Sequence, residues 1–472
     1  MTSRFLEALR PLIRLMPDIE PPARRPPLSR RLLITLVVLI LFFVMSHVPL
    51  YGLRPARGAE DPLYAMRIIF AASYRTLTEL GIGPIVTAGL VMQLLAYSEM
   101  IEVDMNDPRD RALFTGATKV LTIVFAMFEA SAYLYSGIIG QTLEPVQSAI
   151  IFAELVIASF IIMLLDELLQ KGWGIGSGVS LFILAGVAQQ ILWSCFAPIA
   201  IEGGRPLGAI LYFFSVLTSG GALRDAFLRE NYPDMLGFTV TIALLIAIVY
   251  LESVRIEFPI THVQYRGYST RFPIKLLYVS NIPVILAAAV AANVYFFTSL
   301  AYSRFGSSPI MDLFGKFRAG EGGRPEPVGG LVYYMIAPRG WSNVLQDPVR
   351  SVVYALIFTG LCVVFSITWV EVGGMSARDV AEQIVSSGLQ IPGFRRAELP
   401  LIRLFSRYIW AVTILGGILV ALISITGDFL GVFGGGIGIL LSVDIAYNYY
   451  TLLIQERIAE AYPRIARVLG VE

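Results

Sequence analysis

Six carboxylate side chains stand inside or at the ends of long apolar segments, where a charge is costly to desolvate and is often functional. They are Glu129, Glu154, Asp166, Glu167, Asp428 and Asp444. In an ion-coupled transporter, such carboxylates would bind the coupling proton or sodium ion. The alternative is that several of them lie at membrane interfaces or pair with arginines. We favour that alternative for Asp166, Glu167 and Asp428, whereas Glu129 and Glu154 lie deeper in their segments.

Other reactive residue types are few and isolated. Cys195 and Cys362 lie far apart within apolar runs, and His47 and His262 stand alone, so the sequence shows no disulfide or metal-ligand spacing. It contains no His-Glu-x-x-His motif, and no glycine-rich run leads into Gly-Lys-Ser or Gly-Lys-Thr. We therefore predict no metal site, no cofactor and no enzymatic activity.

The composition is that of a chain that crosses a membrane many times. Of its 472 residues, 56% are hydrophobic and only 15% are charged, and the mean hydropathy is +0.70. The net charge of +1 indicates no polyanionic partner for the chain as a whole. With about 20 apolar residues for each span, we predict roughly ten spans, at 32–50, 79–97, 117–138, 146–169, 177–200, 236–256, 276–300, 350–372, 408–427 and 431–454.

The basic residues predict the orientation of these spans. Seven arginines precede the first span, so the positive-inside rule places both termini of a ten-span chain in the cytosol. In the same segment, Phe5, Leu9, Leu12, Ile13 and Met16 recur at helical spacing. They predict a short amphipathic helix, which either lies on the membrane surface or packs as an arm under the first span.

Span counting divides the chain in two at the polar gap 201–235. Each part then holds five spans, and an odd number makes the two parts face opposite ways, as in an inverted repeat. The predicted domain limits are 1–31 for a cytosolic N-terminal segment, 32–200 for the N-terminal half, 201–235 for a hinge loop on the far side, 236–456 for the C-terminal half and 457–472 for a cytosolic tail. Residues 51–76 are too polar to span, and they predict a re-entrant segment or an amphipathic helix outside the membrane.

Three spans begin with glycine-rich sequence. The runs are Gly81-Ile82-Gly83-Pro84, Gly174-Ile175-Gly176-Ser177-Gly178 and Gly434-Gly435-Gly436-Ile437-Gly438. Glycines let helices pack closely, which would explain any one of these runs. Irregular backbone at membrane depth is also tolerated where it lines a water-filled cavity. Because the runs occur in both halves, they favour a central pathway through the membrane.

Ordered short motifs along the whole chain resemble one known family. The chain resembles the SecY family, the alpha subunits of the Sec protein-conducting channel, and is more similar to its eukaryotic endoplasmic-reticulum branch than to its bacterial branch. The most specific motifs are Phe5-Leu6-Glu7, Glu79-Leu80-Gly81-Ile82, Pro84-Ile85-Val86-Thr87, Asp110-Arg111-Ala112-Leu113-Phe114, Asp166-Glu167-Leu168-Leu169-Gln170-Lys171-Gly172, Ser280-Asn281-Ile282-Pro283, Pro327-Val328-Gly329-Gly330-Leu331 and Ser376-Ala377-Arg378-Asp379-Val380.

The resemblance implies an all-α fold of two pseudo-symmetric five-helix halves around an hourglass pore. Its waist would be a ring of aliphatic side chains, which excludes water and ions yet offers a sliding peptide no fixed partner. Matched by local motif, the ring residues are Ile82, Val86, Val179, Ile183, Ile285 and Leu441. The alternative is that these residues only pack helices together, which their spacing does not exclude.

The resemblance also implies a plug and a lateral gate. The plug, within residues 51–76, would close the ring from the lumenal side. Spans two, three, seven and eight would form the gate, with Glu129 and Asn293 in its polar cluster. Glu129 stands where eukaryotic relatives usually carry an amide, and Gly83 stands where a small hydroxyl residue is usual. We hypothesise that Glu129 biases the closed gate.

The basic cytosolic loops suit a large anionic partner. The resemblance implies that Arg266, Arg271, Arg395 and Arg396 contact the ribosome, both its RNA phosphates and acidic protein surfaces. The alternative is that these arginines only set the topology. Further implied partners are small single-span beta and gamma subunits, signal-bearing nascent polypeptides, post-translational import factors, lumenal chaperones and membrane lipids.

Two functions therefore remain to be compared. The first is the pore-forming subunit of a protein translocon in the endoplasmic reticulum membrane, which conducts unfolded secretory polypeptides and releases transmembrane segments laterally into lipid. The second is an ion-coupled secondary transporter. A transporter needs a polar substrate site near the midplane, whereas the resemblance places an aliphatic ring there, so we favour the channel.

Overall fold

The structure is a computed structural model that describes residues 4–53, 67, 70–97, 100–101, 103, 107–135, 144–200, 205–220, 222–229, 232–262, 269–306, 308–319, 325–386, 389–390 and 398–461. The first half of the chain contains α1 (Arg4–Ile13), α2 (Leu28–His47), α3 (Gly83–Tyr97), α4 (Pro108–Tyr135), α5 (Pro145–Leu168) with a π-helical turn (Leu169–Trp173), and α6 (Gly178–Phe196). Two short helices follow, α7 (Ala209–Ser219) and α8 (Leu223–Phe227).

The remainder of the chain begins with α9 (Met235–Ser253), β1 (Arg255–His262), β2 (Ser269–Lys275) and α10 (Ile282–Phe305). Short elements come next: α11 (Pro309–Phe314), β3 (Lys316–Ala319), β4 (Pro325–Gly329), α12 (Leu331–Met335) and α13 (Gly340–Gln346). The last elements are α14 (Pro348–Val372), α15 (Ala377–Ser386), β5 (Leu389–Gln390), α16 (Glu398–Phe429) and α17 (Gly435–Ala461).

Within the described residues, nine helices are long and apolar enough to cross a membrane, namely α2, α4, α5, α6, α9, α10, α14, α16 and α17. The predicted second span, 79–97, is the shorter apolar helix α3, which begins only at Gly83. Residues 79–82 form bends and turns instead, because Gly81 adopts a left-handed φ of +54°. The predicted all-α polytopic fold is therefore confirmed, whereas the strands in the loops were not predicted.

The chain divides into two compact units. Unit 1 contains Met1–Ala188, Tyr295–Gly330 and Ile445–Glu472, and unit 2 contains Gln189–Val294 and Leu331–Asp444. The domain limits predicted from span counting stay predictions.

In unit 1, the N-terminal helix α1 packs on α4 rather than under the first span. Leu6 is completely buried in a cluster with Met92, Ile101 and Ala117. Gly116 allows this close approach of α1, because a Cβ at this position would overlap the Ile13 side chain. The predicted amphipathic helix is present, and Leu9 and Ile13 of its apolar face pack against this cluster, whereas Leu12 is exposed.

In unit 2, the two basic loops predicted to be cytosolic contain strands that pair in one small sheet. β1 pairs antiparallel with β2, with Arg255 opposite Lys275, and β1 also pairs with β5, with Thr261 opposite Gln390. Ile274 of β2 is completely buried in a core with Val380 and Ile384 of α15 and with Phe405 of α16. The sheet and α15 thus share one packed core.

Candidate functional site

The glycine-broken start of α3 is fastened to the end of the predicted plug segment. The Ile82 backbone N–H donates to the carbonyl oxygen of Phe70 at 2.8 Å. Ile82 itself is completely buried, and Val86 lies one turn further along α3 and is half-buried. The first predicted ring residue is therefore held directly by backbone of the 51–76 segment.

Two glycines permit this close approach. A Cβ on Gly81 would overlap the Phe70 carbonyl oxygen and would lie 3.1 Å from the Cα of Ala72. A Cβ on Gly83 would lie 3.3 Å from Oε2 of Glu129 and 3.8 Å from the Phe70 ring. Unit 1 therefore brings together Gly83, Glu129 and the end of the predicted plug.

An ion pair next to this contact was missed by sequence reasoning. The buried carboxylate of Glu79 pairs with the Arg67 guanidinium and accepts a hydrogen bond from the Arg75 backbone N–H. The guanidinium of Arg67 also lies 4.7 Å from the centre of the Tyr74 ring. The missed signal was an acidic residue directly before the glycine-broken helix start, with arginines upstream. Residues 54–66 and 68–69 of the predicted plug lie outside the described residues.

Helix α6 carries the other two predicted ring residues of unit 1. Val179 is half-buried in the first turn of α6, and Ile183 is buried one turn later. A Cβ on Gly186 of this helix would lie 3.9 Å from the Cα of Ala71. Residue 70 therefore bonds the start of α3, and residue 71 lies close to α6, the two helices of unit 1 that carry predicted ring residues.

Unit 2 holds the remaining ring residues on the first turns of two helices. Ile285 is half-buried on α10, where its backbone N–H donates to the Asn281 carbonyl at 3.2 Å. Leu441 is completely buried on α17. Of the predicted gate pair, Glu129 belongs to unit 1, and Asn293 is an exposed residue of α10 in unit 2.

Four of the carboxylates in the spans accept hydrogen bonds from lysine side chains or from backbone N–H groups. Glu167 pairs with Lys119 at 2.5 Å and with Lys171 at 3.5 Å. Glu154 accepts from the Tyr51 backbone N–H at 2.9 Å. Asp166 and Asp428 accept hydrogen bonds from backbone N–H groups at the starts of the following spans.

The same two lysines also contact the N-terminal segment. Asp18 accepts from Lys119 at 2.8 Å and from Lys171 at 2.9 Å. The hydrogen bond from Lys119 contributes most to holding the pKa of the Asp18 carboxyl well below its usual range. The segment after α1 is thus tied by charge to α4 and to the π-helical turn that follows α5.

One of the predicted ribosome-contact arginines, Arg271, lies on the sheet of unit 2. Arg271 of β2 is exposed and donates to Glu257 at 2.6 Å, and this hydrogen bond lowers the pKa of Glu257. Arg266, Arg395 and Arg396 lie outside the described residues. Because β1, β2 and β5 are paired, the chain segments that carry these three arginines start from the same sheet.

Comparison with known proteins agrees with this architecture. The chain matches the SecY family over residues 76–450 and the plug domain of Sec61p over residues 40–73. It is similar to a solved protein-conducting channel with 34% sequence identity and a TM-score of 0.80, over 97% of this chain and 99% of that one.

Two ribosome-bound structures are also similar. Canine Sec61 in a ribosome–channel complex from the endoplasmic reticulum has 34% identity and a TM-score of 0.77, over 97% of this chain and 99% of that one. The yeast Ssh1 complex bound to the yeast 80S ribosome has 25% identity and a TM-score of 0.77, over 96% and 94%.

A polytopic α-helical chain with these relatives is a protein-conducting channel of a membrane. The chain belongs to the SecY family. The predicted resemblance is confirmed, and so is the prediction that the protein is a channel and not an enzyme. The alternative of an ion-coupled transporter is not supported.

Proposed function

We propose that this chain is the pore-forming subunit of the translocon of the endoplasmic reticulum membrane. It conducts unfolded secretory polypeptides across the membrane and releases transmembrane segments sideways into lipid. The observation that carries the proposal is the position of residues 70 and 71, which bond the start of α3 and lie close to α6. A segment in this place closes a pathway lined by these helices, as a plug does.

The waist of the pore is the ring of Ile82, Val86, Val179, Ile183, Ile285 and Leu441. Each residue is aliphatic, and each lies on the first turns of a span or directly before them. A ring of such side chains dewets when it is narrow, so it blocks ions without binding a peptide. The buried positions of Ile82, Ile183 and Leu441 support this assignment.

Residues 51–76 form the plug, and its C-terminal end is the part fastened to α3. The match of residues 40–73 to the plug domain of Sec61p supports this assignment. Arg67 and Glu79 then anchor the end of the plug, since both side chains are buried and paired. Opening requires residues 70–72 to leave Gly81 and Gly83.

The lateral gate is formed by α3, α4, α10 and α14, with Glu129 and Asn293 in its polar cluster. The contact of the Glu129 carboxylate with Gly83 supports the placement of Glu129 beside the pathway. An exposed amide on a membrane helix, as at Asn293, is costly in lipid. Such a residue is better accounted for by an aqueous or protein-facing gate.

The sheet formed by β1, β2 and β5 presents the ribosome-contact arginines Arg266, Arg271, Arg395 and Arg396. Canine Sec61 and yeast Ssh1, two of the similar proteins, were both solved on ribosomes. The translating ribosome and lumenal chaperones supply the driving force, and small beta and gamma subunits complete the complex. Both termini and both basic loops face the cytosol, and 201–235 forms the lumenal hinge.

Site-specific photocrosslinking tests the proposal. A photoreactive residue is placed at Ile82, Ile183 or Ile285 in microsomes, and ribosomes stalled on a secretory chain are added. We expect adducts whose position moves with nascent-chain length. Ile157, an exposed residue of the span α5, is the control and should give no such adducts. Correct insertion with bound ribosomes but no adducts from the ring positions would refute the ring.

A further inference from the structure

The start of α6 is capped by a carboxylate that belongs to the preceding span. Asp166 lies near the end of α5 and is 7% exposed. Its Oδ1 accepts from the backbone N–H of Val179 at 3.0 Å and from the Ser177 hydroxyl at 3.3 Å. A Cβ on Gly178 would lie only 2.7 Å from the Cα of Asp166. The two spans are therefore joined at their shared turn by a side chain and by close backbone contact.

The same arrangement occurs at the start of α17. Asp428 lies near the end of α16 and is 3% exposed, and its Oδ1 accepts from the backbone N–H of Gly436 at 2.9 Å. A Cβ on Gly427 would lie 2.5 Å from the Cα of Gly436. In the span order, α5 and α6 are the fourth and fifth spans, and α16 and α17 are the ninth and tenth. The two caps therefore occupy equivalent places in the two predicted halves.

Two other spans are capped by aspartate in a different way. Asp234 accepts from the Gly237 N–H at 2.7 Å, and Asp347 accepts from the Arg350 N–H at 3.0 Å. Both are ordinary N-caps that bond three residues ahead in the same helix. They satisfy a free N–H, but they join no second span. The helices that they cap, α9 and α14, carry no predicted ring residue.

We propose that Asp166 and Asp428 are positioning residues that hold α6 and α17 where their aliphatic side chains close the pore. This inference rests on the proposed ring. The N–H that Asp166 caps is that of Val179, which is itself a ring residue. Gly436 precedes Leu441 by five residues, about 7.5 Å along the helix axis. A shift at either capped turn therefore moves a ring side chain directly.

The physical basis is a carboxylate at a helix N-terminus in apolar surroundings. The unpaired N–H groups of the first turn carry partial positive charge, which favours a nearby anion. Hydrogen bonds of this kind are stronger where water is excluded. Because Asp166 and Asp428 sit on the preceding span, this interaction fixes one helix relative to the other instead of only ending a helix.

Resting ion conductance of the purified, reconstituted translocon complex tests the proposal. Asp166→Leu and Asp428→Leu remove the acceptor at similar size and should each raise the resting conductance by about tenfold or more, which corresponds to about 1.4 kcal/mol. Asp166→Asn and Asp428→Asn keep an oxygen acceptor but lose the charge, so they should raise the conductance much less than the Leu variants. The controls Asp234→Leu and Asp347→Leu should not raise it, although they lose a cap of the same chemistry.

Equal conductance in all four Leu variants would overturn the proposal, and so would a leak in the Asn variants as large as in the Leu variants. A variant that fails to assemble is replaced by Asp166→Glu or Asp428→Glu, whose longer side chain displaces the capped N–H and should also raise the conductance. Photocrosslinking of the unmodified ring positions is measured separately. Adducts there without any leak in the Asp166 or Asp428 variants would refute the positioning role and leave the pore intact.

Discussion

Gly81→Ala is the substitution for which the structure makes the sharpest prediction. Gly81 has a φ of +54°, and a Cβ there would overlap the Phe70 carbonyl oxygen. It would also lie 3.1 Å from the Cα of Ala72. The nearest atoms are backbone, so no side chain can rotate to make room. Residues 70–72 must therefore move away from α3.

The size of the effect follows from two contributions. A left-handed conformation costs a residue with a Cβ about 1–2 kcal/mol. Loss of the hydrogen bond from Ile82 to Phe70 costs about 0.5–1.5 kcal/mol. Together they disfavour the closed position of the plug by about 1.5–3.5 kcal/mol, which raises the displaced fraction about 10- to 400-fold while that state remains minor.

Ion flux through proteoliposomes that contain the resting complex measures this fraction. Gly89→Ala is the matched control, because Gly89 lies on the same helix and its added Cβ would meet no heavy atom within 4 Å. Alanine is also the better helix former there, so Gly89→Ala should leave the flux unchanged. If Gly81→Ala and Gly89→Ala gave the same flux in equally stable complexes, the proposed fastening of the plug to α3 would be wrong.

Three further substitutions test other parts of the molecule. Glu129→Gln should lower the signal hydrophobicity that insertion requires, and this shifts the apparent insertion free energy by about 1 kcal/mol. A graded series of signals in microsomes measures this threshold. Asp18→Asn should weaken the docking of the N-terminal segment by about 0.2–1 kcal/mol, because Asp18 is exposed, and trypsin should cleave faster after Arg24. Since the pKa of Asp18 is lowered by the hydrogen bond from Lys119, this docking should be constant between about pH 5 and 8 and should be lost only as the pH falls below about 4. Arg271→Glu should weaken ribosome binding and make its salt dependence shallower by about one unit.

Each of these substitutions has a control in the chain. Glu154→Gln changes a span carboxylate that bonds the Tyr51 backbone, and it should not move the hydrophobicity threshold. Asp107→Asn changes another exposed aspartate and should not affect cleavage after Arg24. Glu257→Gln releases Arg271 from its ion pair and should strengthen ribosome binding. An unchanged threshold, an unchanged cleavage rate or an unchanged salt dependence would contradict the corresponding prediction.

Much of the candidate site was accessible from the sequence, because it depends on short motifs. The glycine-rich starts of the spans are local patterns, and they single out Gly81, Gly83 and the run that ends at Gly178. The ring residues followed from motifs of the family, and they remain predictions. The strands were missed, because β1 and β2 carry only a few alternating residues and each contains a proline, which is typical of a loop or an edge strand.

The roles of the carboxylates were the least predictable feature. The sequence favoured membrane-interface positions or arginine partners over ion coupling for Asp166, Glu167 and Asp428. The structure gives Glu167 two lysines and gives the two aspartates the backbone of the following span. The ion pair of Glu79 with Arg67 was not predicted, because nothing in their spacing shows that the chain folds back between them.

The sequence by itself determined the class of this protein. Apolar runs long enough to span, the arginines that orient them and the ordered family motifs are local properties, and transfer of a segment into lipid depends mainly on that segment's own composition. Only the tertiary structure decided which residues meet: Phe70 with Ile82, Asp166 with Val179, and β1 with β5. The physical reason is that lipid is as apolar as the helix surfaces, so contacts between spans depend on close packing and on a few buried polar pairs. Those pairs are set by the folded arrangement of distant segments and leave no periodic pattern in the sequence.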